Sequence, residues 1–264
     1  MRNIRIALAL ILVVFMAACS KYEKILKSTD YTLKYTKAME YYQKGDFSRA
    51  STLFDQIVNV YKGTAKADTV CFYQAQSYYG QKDYIMSAFY YKEFSKDYPR
   101  STFAEEADYL ASYCNYLLSP RPSLDQDYTT QALQGFQYFL VKFPTSKFVP
   151  DARRLIIEMR DKLVEKSYMS ARLYFDLGYY KASVIALRNS LNTFPDTKYR
   201  EDILFLILKS NYLLADNSVL EKQKERFQAA LDGYYAFIGE YPSSKFQNEA
   251  EKMHAQTKII LGVQ

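Results

Sequence analysis

The chain has no tryptophan and one histidine, with three cysteines, eight glycines and seven prolines among 264 residues. Each scarcity removes a class of explanation. The lone His254 has no cysteine or second histidine near it in sequence, which leaves little material for a zinc site or a Ser-His-Asp constellation; it reads as an ordinary surface residue. No Gly-rich loop able to cradle phosphate occurs, and the glycines mostly punctuate turns. Carboxylate pairs such as Glu105-Glu106 open a helix, where the terminal dipole favours them. Nothing therefore points to an enzyme, a metal or a cofactor. Apolar runs are short as well. Ile6 to Phe15 is ten residues, half of the ~20 that a spanning helix needs. The formal charge is +6. Without Arg2 and Arg5, which lie in a segment expected to be removed, 33 basic residues face 29 acidic ones, leaving +4. That excess is too mild and scattered to imply nucleic acid.

Few breakers with abundant Ala, Leu, Lys, Glu and Gln favour an all-α protein. Aromatics are plentiful, with 27 Tyr and 17 Phe. They fall in a repeat. Tyr98-Pro99-Arg100-Ser101-Thr102-Phe103 returns as Phe143-Pro144-Thr145-Ser146-Lys147-Phe148, as Phe194-Pro195-Asp196-Thr197-Lys198-Tyr199 and as Tyr241-Pro242-Ser243-Ser244-Lys245-Phe246. Tyr61-Lys62-Gly63-Thr64 is a degenerate first copy. In each, an aromatic closes one helix, Pro stops it, Ser or Thr caps the next, and a new aromatic opens a buried face. The prolines stand 45, 51 and 47 residues apart, and Lys62 lies 37 before Pro99. Such periods predict a tetratricopeptide-like solenoid of helix hairpins, about five repeats plus a C-terminal capping helix. Counting back supports it. Small residues stand twelve before the proline position (Ala50, Ser87, Ala132, Ser183, Ala230). Large ones stand eight before it (Phe54, Tyr91, Phe136, Leu187, Tyr234), a spacing that lets helices approach and interlock.

The amino end reads as an address. Basic Met1-Arg2-Asn3-Ile4-Arg5 precedes the apolar run, and Met16-Ala17-Ala18-Cys19 ends it. These residues resemble the lipobox of bacterial lipoproteins. The resemblance implies a signal peptide over 1–18, cleavage before Cys19, acyl chains on Cys19, a short tether over 19–30 and a superhelical domain over 31–264. Ser20, with no Asp at that position, is similar to the pattern for release to the outer membrane. Cys71 and Cys114 sit six residues out of register along equivalent helices, about 9 Å at 1.5 Å per residue. Two free, buried thiols are expected.

Hairpins are expected at about 31–44 with 47–60, 65–80 with a helix from Tyr84, 102–118 with Asp127–Lys142, and 199–215 with 222–240. An unbroken stretch runs from Asp151 to Leu177, as one long helix or two abutting ones, before a helix ending near Asn192. A last helix lies within Ser244–Leu261. With the proline as position 32, tetratricopeptide groove positions 5, 9 and 12 fall on Tyr35, Met39 and Tyr42, then on Phe72, Gln76 and Tyr79. These six are the candidate partner-binding residues, lining a groove for an extended or helical peptide with apolar anchors.

Three features together resemble the BamD (ComL) family of outer-membrane lipoproteins. They are Gln43-Lys44-Gly45-Asp46-Phe47-Ser48-Arg49-Ala50, the repeat ends, and the insertion Arg121-Pro122-Ser123-Leu124-Asp125-Gln126-Asp127 inside the third unit. The resemblance implies a lipid-anchored scaffold on the periplasmic face of the outer membrane, part of the machinery that assembles β-barrels. It implies docking to the POTRA domains of a BamA-like barrel protein through the C-terminal half, alongside other lipoproteins of that complex. It also implies unfolded barrel substrates received by the N-terminal repeats. Two other families share features. A YbgF-type periplasmic adaptor has similar repeat ends but usually lacks a lipobox and the insertion. A glycan-binding SusD-type lipoprotein is helical too, but is about twice as long and stacks sugars on Trp.

Overall fold

The computed structural model describes residues 21–263; the expected signal segment and Cys19 lie outside them. The described residues are helical, with no strand among them. Helix α1 covers residues 21–27. Five hairpins follow: α2 (Tyr31–Gln43) with α3 (Phe47–Tyr61), α4 (Ala67–Gly80) with α5 (Tyr84–Asp97), α6 (Ala104–Leu118) with α7 (Asp127–Lys142), α8 (Val149–Asp176) with α9 (Tyr180–Thr193), and α10 (Arg200–Asp216) with α11 (Leu220–Glu240). Helix α12 (Gln247–Leu261) closes the series. The breaker-free stretch after Pro150 is one helix of 28 residues.

The small-large register becomes the hairpin contact. Ala50, Ser87, Ala132 and Ser183 are fully buried, Ala230 nearly so, and Phe54, Tyr91, Phe136 and Leu187 are sealed beneath them. The turn inside each of two hairpins uses a left-handed residue followed by an aspartate cap. Gly45 has φ +75° before Asp46, whose carboxylate accepts from Arg49 N at 3.3 Å. At the second such turn the left-handed residue is Lys82, φ +62°, before Asp83, which accepts from Met86 N at 3.1 Å.

The repeat ends form a joint that recurs four times. The aromatic four residues after each proline lies flat on an aromatic of the preceding repeat: Phe103 on Phe72 at 4.4 Å, Phe148 on Tyr109 at 4.5 Å, Tyr199 on Tyr168 at 4.3 Å, and Phe246 on Phe205 at 4.2 Å, all within 14° of parallel. Such pairs contribute about 0.5–1.5 kcal/mol beyond their buried area. The hydroxyl two residues after the proline accepts from the backbone N–H of that aromatic, at 3.2, 3.0, 3.2 and 3.0 Å in turn. In three joints it also donates to a carboxylate one helical turn before the stacked partner: Ser101 to Asp68 at 2.7 Å, Ser146 to Glu105 at 2.6 Å, and Ser244 to Glu201 at 2.6 Å. In the fourth, Thr197 replaces serine and Val164 stands where the acid would be. The degenerate first end lacks both proline and aromatic. There Lys66 Nζ sits 4.5 Å over the Tyr35 ring, so a cation covers the face that a ring covers elsewhere.

Two compact units result. The first runs to Pro120 and includes Gln126–Met159; the second takes Arg121–Asp125 and everything from Arg160. In the first, cores form around Leu53, Phe54 and Ile57, around Tyr91 and Phe94, and around Phe136 and Phe139. The inserted loop counts with the second unit, where Ser123 O accepts from Lys166 Nζ at 3.0 Å. There the apolar run of α10 is buried against α9, α11 and α12 through Ile203, Phe205, Ile207 and Leu208.

Residues 21–27 of the segment expected to be a tether form helix α1. In α1, Tyr22, Ile25 and Leu26 pack on the first hairpin, with Tyr22 edge-on to Tyr41 at 5.6 Å. Buried Lys34 donates to Leu26 O at 3.0 Å and to Gln56 Oε1 at 2.7 Å, capping the end of that helix. His254 is also not the plain surface residue its composition suggested. Its ring stacks on Tyr234 at 4.0 Å and meets Tyr235 edge-on, because α11 and α12 pack tightly there. Burial holds its pKa below the ordinary value, with Lys258 adding to the effect.

Candidate partner-binding surface

The first helix of each hairpin in the first unit carries the candidate groove. Tyr35 is engaged by the Tyr61 ring at 5.6 Å and by Lys66. Met39 is half-buried against the first core. Tyr42 meets Phe47 and Tyr73 edge-on, and its hydroxyl lies 3.5 Å from Gln76 Oε1. Gln76 in turn donates to Glu106 Oε1 at 3.4 Å. Tyr79 leans on Tyr84 at 5.7 Å. Phe72 departs from the expectation of a lining residue. It is 4% exposed, with Tyr91, Phe94 and Phe103 around it, and serves the joint between repeats. The structure thus brings Tyr42, Gln76 and Tyr79 together, and assigns Tyr35 and Phe72 to packing.

Helix α6 extends this face with residues that counting back from Pro144 does not find. Tyr109, Tyr113 and Tyr116 stack along one side at 5.8 and 5.5 Å. The loop inserted in the third unit displaces the backward count. Counting forward finds them, since Phe72, Gln76 and Tyr79 stand 10, 14 and 17 residues after Lys62, as Tyr109, Tyr113 and Tyr116 do after Pro99. Tyr109 is buried and donates to Asp151 Oδ2, which is the main reason the Asp151 carboxyl sits below its usual range. Tyr116 donates to Glu158 Oε1 at 3.1 Å, and Glu158 pairs with Arg154 at 3.4 Å. Burial raises the phenol pKa values of Tyr42 and Tyr79, so these hydroxyls remain neutral donors at physiological pH. The result is a stripe of half-exposed rings with a hydroxyl or amide at each step and carboxylates at its margin. It offers apolar faces and hydrogen bonds side by side.

Two other surfaces are apolar and open. A cleft of about 490 Å³ lies between α5, α6 and α7, with Ile85, Phe89 and Tyr138 on its rim and Ser112 and Gly135 at its base. In the second unit, a depression of about 740 Å³ forms beside the α8–α9 turn, with exposed Tyr179 and Ile185 at its edge. Among the described residues no group of three or more His, Cys, Asp or Glu side chains is arranged to hold a metal ion. Nor is any helix there long and apolar enough to cross a membrane. Cys71 and Cys114 are both free thiols. Cys114 is buried beside Ser87 Oγ at 3.4 Å, while Cys71 keeps partial exposure near the Tyr98 hydroxyl.

Stacked hairpins joined through ring-on-ring contacts define a helical-hairpin repeat protein of tetratricopeptide type. Within that class, residues 28–227 match the YfiO outer membrane lipoprotein family, and the chain belongs to it. Relatives agree. A BamD-type chain from Aquifex aeolicus is 28% identical over 230 residues, covering 86% of this chain and 74% of that one. The outer membrane protein assembly factor BamD of Neisseria gonorrhoeae is 24% identical over 228 residues, covering 82% and 81%. That of Rickettsia prowazekii is 22% identical over 219 residues, covering 83% of each. Among solved structures, the TPR2AB-domain:pHSP90-complex of yeast Sti1 aligns with 86% of this chain and 98% of its own, at a TM-score of 0.39 and 11% identity. Family membership associates the chain with the outer membrane.

Proposed function

We propose that this protein is a lipid-anchored scaffold for assembly of outer-membrane β-barrel proteins, acting by binding and not by catalysis. Acylated Cys19 holds it at the periplasmic face. The second unit docks to the POTRA domains of a BamA-like barrel protein, together with other lipoproteins of the complex, and the first unit receives unfolded barrel segments. The observation that carries this reading is the family match across both units, joined to relatives whose names describe assembly factors.

The tyrosine stripe suits such a substrate. An unfolded barrel strand alternates apolar and polar side chains and has unpaired backbone groups. Tyr42, Tyr79, Tyr113 and Tyr116 offer rings to the former and hydroxyls to the latter, in contacts individually weak enough to release the chain. Affinity purification from solubilised outer membranes tests the assignment: a barrel protein bearing POTRA domains should co-purify, and its absence refutes the reading. Tyr79→Ala with Tyr113→Ala should lower crosslinking to an unfolded barrel segment by about thirtyfold or more, at about 1–2 kcal/mol per ring, while leaving that co-purification intact.

A further inference from the structure

Helix α1 has two opposed faces. At about 100° per residue, Tyr22, Ile25 and Leu26 share one arc and Lys21, Lys24 and Lys27 share the other. The first arc packs on α2 and α3, where Arg49 lies 5.2 Å over the Tyr22 ring. The second arc is exposed. Glu23 sits at its edge and pairs with Lys27 at 3.3 Å, so the face keeps a net positive charge. Buried Lys34 ties the end of α1 to the body through Leu26 O. The helix is therefore a fixed part of the first hairpin, with its lysines pointing outward.

We propose that this lysine face rests on anionic lipid headgroups and so fixes how the first unit stands on the membrane. The inference rests on the acylation of Cys19 proposed above. One residue separates Cys19 from Lys21. At 3.8 Å between successive Cα atoms, Lys21 stays within about 8 Å of the acylated residue, which is about one Debye length at physiological ionic strength. Lys21 therefore stays near the headgroups while the acyl chains are inserted, and Lys24 and Lys27 follow about 4.5 and 9 Å further along the same face of α1. Phosphate esters are the complementary charge at that depth, and each lysine near an anionic surface favours the contact about fivefold.

The test uses the full mature lipoprotein in vesicles of phosphatidylcholine alone and of phosphatidylcholine mixed with phosphatidylglycerol. Amine acetylation is read lysine by lysine by mass spectrometry, with exposed Lys222 as internal reference. Lys21, Lys24 and Lys27 should label about fivefold more slowly on the anionic vesicles, and molar salt should remove the difference. Equal labelling on both vesicles, with acyl chains present by intact mass, overturns the placement of α1. An amino end without acyl chains refutes the anchor beneath it, which is a separable result. Protection that appears only in native membranes assigns the face to an acidic protein partner and overturns the lipid reading.

Discussion

The serine-to-carboxylate bond at the repeat joint should be measurable as a coupling. Ser146 is buried, accepts from Phe148 N at 3.0 Å and donates to Glu105 at 2.6 Å. Ser146→Ala removes both bonds. A lost turn cap costs about 1 kcal/mol, and a hydrogen bond to a charged group about 1.5 kcal/mol, so the single variant should lose roughly 2–2.5 kcal/mol. Glu105 is half-exposed and water partly replaces its partner, so Glu105→Ala should lose only about 1 kcal/mol. The double variant should fall short of the sum by about 1 kcal/mol. Urea unfolding followed by circular dichroism, fitted to the transition of the first unit, gives all four corners of the cycle. The same cycle on Thr197 and Val164 provides the comparison within one molecule, because no carboxylate stands there. Couplings of equal size at the two joints would mean that the bond contributes nothing specific, and the account of the joint would fail.

Three further outcomes follow from local geometry. Lys82 occupies a left-handed turn position that Gly45 fills in the first hairpin, so Lys82→Gly should raise stability by about 1 kcal/mol, read as a higher urea midpoint. A Cβ on Gly80 would lie 2.4 Å from the Phe47 ring, whereas one on Gly239 meets nothing within 4 Å. Gly80→Ala should thus destabilise by about 1–3 kcal/mol, and Gly239→Ala should stabilise by about 0.5–1 kcal/mol; the opposite order by thermal denaturation would refute the packing described. Burial pushes the Cys114 thiol up to about 11 from 9.0. The folded chain then holds that proton more tightly than the unfolded one, a contribution present in full below pH 9 and lost as pH rises towards 11. Between pH 8 and 11, Cys114→Ala should therefore lose less stability than the parent chain, by on the order of 2 kcal/mol.

The hairpins were legible because proline and small residues mark their ends and contacts in a pattern short enough to read locally. Helix α7 falls on Asp127–Lys142 as the sequence predicts. The candidate partner-binding face was legible only in part. Phe72 looked like a lining residue because its partner Phe103 lies 31 positions on, and a helical pattern does not say which of two apolar faces a neighbour will cover. Tyr113 and Tyr116 were hidden by the inserted loop, which broke the count used to find them. Docking of α1 depends on Lys34, an amine that composition assigns to the surface and that burial reassigns to a helix end. His254 shares this cause, since its environment comes from Tyr234 on another helix.

The last joint has a consequence for the state of association. Phe246, which caps α12, and Met253 within it cover Phe205 and Phe237, a surface built like those that accept the next hairpin elsewhere in the chain. Without its terminal helix, the protein would expose an acceptor with nothing to fill it. Chains shortened before Phe246 should then recruit one another head to tail and grow into open-ended polymers. Within the chain, α12 closes that acceptor by burying Phe205 and Phe237.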